Sequence, residues 1–228
     1  MLAHYLLGCV YRDLGDAPRA LECYYDAVSK ADTTSADCDF QRLSRIYGQM
    51  AELFHAQRSP QFEKEMWLEA KKNAHKCNDT ISIISCSEQL AQTFYMIGQK
   101  DSSLRLANHA FNQYKKHGYN SHAVNILPIQ ISIYLERKDY KTAKSLFDKF
   151  EQHYLKNGNM IANNGLYYYY KGLYYWGIEK FDSAKFCYNK LLNSGHFISD
   201  IEAASKGLME VYHKLGKPDS VMKYSLLF

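Results

Sequence analysis

The chain has 228 residues, 46% hydrophobic and 23% charged, with only 4 prolines and 12 glycines. That length supports a sizeable core, and so little glycine and proline argues against the turn-rich β-sandwiches and α/β enzymes. Twenty-eight Lys and Arg against 24 Asp and Glu leave a formal charge of +4, with no concentrated basic stripe, so no direct nucleic-acid contact is expected. The basic fragments Lys71-Lys72 with Lys76, and Lys115-Lys116 with His117, fall near expected helix C-termini, where they complement the helix dipole.

In chain order, the first expected helix carries Gly8 and Tyr11 and ends at Leu14-Gly15-Asp16, with Gly15 as its C-cap. The second begins near Pro18 and carries Ala20, Tyr24 and Ala27. Gly8 and Ala20 are small enough for two antiparallel helices to cross closely, and Tyr11, Tyr24 and Ala27 follow at helical spacing on the inward faces. The same frame returns as Ala51, Phe54, Trp67 and Ala70, then as Ala91, Phe94, Ala107 and Ala110. A fourth copy has Tyr134, Ala143 and Phe147, and a fifth has Gly172, Tyr175, Ala184 and Tyr188. The sixth has Tyr212 and stops at Phe228. Glu63 and Val221 stand where the pattern wants a small residue.

Between equivalent aromatic positions, Tyr11, Phe54, Phe94, Tyr134, Tyr175 and Tyr212, the steps are 43, 40, 40, 41 and 37 residues. Polar links separate the copies at Thr33-Thr34-Ser35, Asn78-Asp79-Thr80, Gly118-Tyr119-Asn120-Ser121, Asn157-Gly158-Asn159 and Asn193-Ser194-Gly195, and their Ser, Asn and Asp can cap the helix that follows. The expectation is a single array of about six helix pairs over 1–228, at 1–32, 38–77, 81–118, 121–157, 162–195 and 199–228. The last pair is read as truncated, because the chain closes inside an apolar-periodic segment; it also opens on one, as a piece of a longer protein would. Pro128 should kink or start the helix that holds it.

This frame resembles the tetratricopeptide repeat (TPR) family, whose basic unit is about 34 residues; the additional residues are read as longer helices or links. The resemblance implies an all-α fold, a right-handed superhelical solenoid of antiparallel helix hairpins, whose first helices line a concave face. It also implies protein or peptide partners. Carried onto this sequence, the groove positions include Tyr5 and Arg12, then Arg45 and Glu52, then Glu88, Gln92 and Tyr95. Further along they include Tyr169, Leu173 and Trp176, then Lys206 and His213. The lysine, asparagine and arginine clamp of members that grip acidic chaperone tails is absent from Tyr5/Cys9, Gly48/Glu52 and Glu88/Gln92, which disfavours that role. The run Tyr167–Tyr170 with Tyr174, Tyr175 and Trp176 is too wide for one helix face, so these rings either anchor a partner in the groove or fill the seam between repeats.

No HExxH, GxSxG, GxGxxG or GxxxxGKS motif is present, the nine histidines are scattered, and the six cysteines include no CxxC pair. No metal, cofactor or enzymatic activity is expected. Three roles fit: a binding scaffold, a regulatory or sensory input domain, or a structural self-association module. In its long repeats and its 20 tyrosines the chain also resembles the TPR sensor portions of some Bacteroidetes regulators, whose partners would include other domains of a longer parent chain. No apolar run reaches transmembrane length. The compartment stays open, cytoplasmic for a free adaptor and periplasmic for a membrane-anchored sensor portion.

Overall fold

The computed structural model describes residues 1–35, 37–156, 159–160, 165–194 and 198–226. Two compact units, Met1–Tyr119 and Asn120–Phe228, divide the chain. The expected links at 157–158 and 195, and the closing residue Phe228, lie outside the described residues.

The first unit is three helix pairs: α1 (Leu2–Asp13) with α2 (Ala17–Ser29), α3 (Phe40–Ala56) with α4 (Pro60–Lys76), and α5 (Thr80–Met96) with α6 (Lys100–Lys116). The second unit opens with α7 (Asn120–Asn125) and α8 (Leu127–Glu136), paired with α9 (Tyr140–Tyr154). A short antiparallel hairpin follows, β1 (Leu155–Lys156) on β2 (Asn159–Met160), with Leu155 opposite Met160. Then come α10 (Gly165–Gly177), α11 (Phe181–Ser194), α12 (Ile198–Lys214) and α13 (Pro218–Ser225). Pro128 falls in the first turn of α8, where its missing N–H costs no hydrogen bond; the first helix of this pair is thereby split at Ile126.

Eight of the joints repeat one device. After α1, the Gly15 amide bonds to the Arg12 carbonyl and the Asp16 amide to the Tyr11 carbonyl, with Gly15 in the left-handed region at φ 77°. This is the Schellman closure, which satisfies the last free carbonyls of a helix. Arg58, Asn78, Gly98, Gly118, Lys138, Glu179 and Gly216 occupy the same left-handed position in the later joints. The residue after it then starts the next helix. Asp16, Asp79 and Asp139 cap α2, α5 and α9 by accepting the amides of Arg19, Ser82 and Thr142 at 3.2, 3.1 and 3.0 Å. Each turn is therefore a helix stop and a helix start within three residues, and inside each unit that folds the second helix of a pair back against the first.

Small residues let the aromatic ones in. Ala20, Tyr24 and Ala27 are buried with Ile46 and Met50 between the first two pairs; Ala51, Trp67 and Ala70 are buried with Cys86 and Leu90 between the next two. In the second unit Ala184 and Tyr188 are buried with Leu208, Val211 and Tyr224. Ala91, Ala107, Ala110, Ala143 and Phe147 are also buried, while Tyr11, Phe54, Phe94, Tyr134, Tyr175 and Tyr212 are half-buried. A Cβ on Gly8 would meet the Tyr24 ring at 2.5 Å, and one on Gly172 the Tyr188 ring at 2.5 Å, so these glycines exist to seat a tyrosine from the paired helix.

Candidate functional site

With the second helices and the inward sides of the first filling the core, the remaining side of each first helix is free to carry polar and aromatic groups. On α1, Tyr5 packs beside Tyr24 with ring centroids 6.2 Å apart. Burial and the Cys9 hydrogen bond push its hydroxyl up in pKa, while Arg45 of α3 and Arg12 of α1 pull it back. Arg12 pairs with Asp13 at 2.7 Å and donates to Gln49 of α3. Arg45 also lies in the field of Asp79, which accepts from the Gln41 amide at 3.5 Å. Side chains from three separate segments thus interact along one side of α1, α3 and the start of α5. Arg45, Glu52 and Gln92 are exposed and Tyr95 is half-buried. Glu88 is claimed from within the fold: it accepts the Tyr114 hydroxyl of α6 at 2.9 Å.

The tyrosine-rich helix α10 distributes its rings over several neighbours. Tyr167 stacks on Phe150 of α9 at 5.9 Å and 9°, and Tyr174 meets Phe147 edge-on at 5.7 Å. Tyr169, Tyr175 and Trp176 pack against the cluster around Tyr188. Burial, with Glu210 and Glu136, pushes the Tyr169 hydroxyl up. None of the seven aromatic residues on this helix is exposed; Leu173 is half-buried, while Lys206 and His213 on α12 are exposed.

Two buried polar clusters were missed by the sequence reading. Glu63 of α4 is 2% exposed, and its carboxylate accepts the Thr93 hydroxyl at 2.7 Å and contacts His55 Nδ1 at 3.1 Å. The signal was present, since Glu63 breaks the small-residue pattern. In the second unit Lys171 is 8% exposed, and its Nζ lies 2.5 Å from Glu151 Oε1, which also accepts the Tyr167 hydroxyl at 2.7 Å. The same ammonium lies 4.6 Å from the Phe147 ring and 5.6 Å from that of Tyr175. A lysine inside a tyrosine run reads as surface in a sequence; nothing local announces that Glu151 comes to meet it. Among the described residues no cluster of three His, Cys, Asp or Glu could hold a metal ion, no helix is long and apolar enough to cross a membrane, and the six cysteines are free.

This architecture defines a helical-repeat protein whose unit is an antiparallel helix hairpin. In particular, residues 3–29 match the family model of the tetratricopeptide repeat, and the fold is that of tetratricopeptide-repeat proteins. A tetratricopeptide repeat protein from Parabacteroides merdae is similar over 97% of this chain and 76% of its own, with a TM-score of 0.69 at 15% identity. PilW, a widely conserved type IV pilus biogenesis factor, is similar over 97% and 89%, with a TM-score of 0.67 at 9% identity. BtubC from P. vanneervenii is similar over 93% and 87%, with a TM-score of 0.64 at 15% identity. At these identities the likeness shows the fold. No curated protein matches the chain.

Proposed function

We propose that this protein is a non-enzymatic protein- or peptide-binding scaffold, and that the first-helix side of the unit Met1–Tyr119 is a partner surface. The observation that carries the reading is the joint presentation of Tyr5, Arg12, Arg45 and Glu52 by two helices whose opposite sides are consumed by the core. Charged and aromatic groups mixed on a rigid support suit peptide recognition, because the aromatic ring supplies contact area and the arginines supply directed hydrogen bonds.

The test uses the full chain as bait, then re-measures the recovered partner's affinity for variants. Arg45→Glu and Glu52→Lys are each expected to weaken binding by about tenfold or more. Lys72→Glu on α4 should leave it unchanged. Equal affinity in all three variants would remove this surface from consideration.

A second reading, self-association, is favoured by a separate feature. Leu2, Leu6 and Val10 on α1, with Leu14 at its C-cap, recur every four residues and are all exposed, which makes an apolar stripe. Sedimentation of wild type against Leu6→Glu would settle it: a concentration-dependent oligomer lost in the variant supports this reading, and a monomer throughout ends it.

A further inference from the structure

The first and last helices of these 228 residues expose the positions that the seams between helix pairs bury. Three seams set the pattern: α3 meets α2 through Ile46 and Met50, α5 meets α4 through Cys86 and Leu90, and α12 meets α11 through Leu208 and Val211. Counted back from Phe54, Phe94 and Tyr212 to Tyr11, by 43, 83 and 201 residues, Met50, Leu90 and Leu208 all fall on Leu7 of α1, and Val211 falls on Val10. The four seam residues are buried, whereas Leu7 is 45% exposed and Val10 is 53% exposed.

The other half of a seam stands open on α13. Counted from the left-handed joint residues Gly15 and Gly216, Met222 holds the place that Leu21 holds on α2, and Ser225 the place of Tyr24. Leu21 and Tyr24 both belong to the cluster that α2 forms with α3. Met222, by contrast, is 68% exposed, and a cavity of about 520 Å³ opens beside it, walled by Pro218, Val221, Met222 and Ser225. The Ser225 hydroxyl donates to the Met222 carbonyl at 2.8 Å, so it leaves the wall without a polar demand of its own. Hairpin arrays close on polar outer faces, because an apolar one recruits whatever fits it. Here an apolar ridge on α1 and an apolar groove on α13 occupy the two complementary positions of one seam.

We propose that α1 of a second copy docks on α13, seating Leu7 and Val10 against Val221 and Met222 and repeating between copies the seam that joins helix pairs within one. A second copy is the occupant that fits, since the same chain carries both halves and builds this contact three times inside itself. The inference rests on the self-association reading and gives it a partner face. The contact joins two different surfaces head to tail, whereas pairing of one α1 stripe with another would be two-fold.

The experiment is sedimentation velocity of the full chain, of Leu7→Glu, of Met222→Glu and of an equimolar mixture of the two variants. Wild type should associate as its concentration rises. Each variant puts an unpaired charge into an apolar seam and should associate about tenfold more weakly or worse, with the helical circular dichroism unchanged. The mixture should recover a one-to-one dimer, because Leu7→Glu keeps its α13 groove and Met222→Glu keeps its α1 ridge. If Leu7→Glu loses helicity, Val10→Glu takes its place. A wild type that stays monomeric overturns the proposal and the self-association reading together. Met222→Glu associating as wild type leaves self-association through α1 standing and removes the head-to-tail contact. Leu7→Glu associating as wild type, or a mixture no more associated than its components, removes that contact as well.

Discussion

Tyr188 is clamped between Gly172 and Gly207: a Cβ on either glycine would stand 2.5 Å from its ring. One tyrosine of α11 thus sets how closely both α10 and α12 approach, and Ala184 completes the contact. Gly172→Ala and Gly207→Ala are each expected to destabilise the protein by about 1–3 kcal/mol, the usual cost of overpacking. The double variant should cost less than the sum, because the ring has to move only once. Urea unfolding measures all three, and a Gly172→Ala midpoint equal to wild type would mean that the ring is not so held.

The left-handed joint positions predict stabilisation. Arg58, Lys138 and Glu179 carry φ of 54°, 58° and 61° in turns where Gly15, Gly98, Gly118 and Gly216 do the same work without a Cβ. Lys138→Gly should raise stability by about 1 kcal/mol, since the left-handed conformation strains any residue with a Cβ by roughly that amount. Gly98→Ala should lower it by a similar amount. Thermal melts of the pair test the sign.

Glu63 makes a different prediction. Its buried carboxylate depends on the Thr93 hydroxyl at 2.7 Å, so Thr93→Val leaves it short of a donor and should cost about 1–3 kcal/mol. Glu63→Gln in the Thr93→Val background should recover part of this, because an amide is cheaper to bury than a charge. A double-mutant cycle without coupling would show that the hydrogen bond contributes nothing.

Acid sensitivity is expected from the capping aspartates. The Thr142 side chain and then its backbone amide hold the Asp139 carboxyl below its ordinary value of 3.8. A group depressed in this way contributes its full stabilisation above the unfolded value and loses it as pH falls through the lower folded value. Asp139→Asn can still cap α9 but cannot titrate there, so its Tm should fall less steeply than that of wild type below about pH 4. Parallel Tm profiles over that range would contradict the assignment.

Thiol reactivity should divide the cysteines by depth. Burial pushes the Cys86 thiol up to about 11 and that of Cys187 up to about 12. At pH 8 both should resist iodoacetamide in the folded protein and react once it is unfolded, since only the thiolate attacks. Cys38 and Cys77 are half-buried and should be modified first, as peptide mapping would record.

Much of this molecule was legible before any coordinates. The spacing of small and aromatic residues identified helix hairpins and their class of fold, and Gly15, Pro18 and Pro128 marked helix ends, because each acts through its own backbone. The surface was less legible. The α10 sequence leaves Tyr169 and Trp176 open between groove and seam; both rings pack against the Tyr188 cluster, which the α10 sequence alone does not reveal. Glu88, a groove position by resemblance, accepts the Tyr114 hydroxyl from the second helix of the pair, 26 positions away, a contact that local sequence does not announce.

The amino-acid sequence by itself determined where helices stop and start, and which side of each is apolar, since those are matters of propensity, capping and period within a few residues. Only the tertiary structure decided which charges are buried and what meets them. Lys171 acquires Glu151, and Glu63 acquires Thr93, from residues 20 and 30 positions away. Such pairings are set by how helices nest, and the free energy of a charge depends on everything within a few ångströms of it, whatever its distance along the chain.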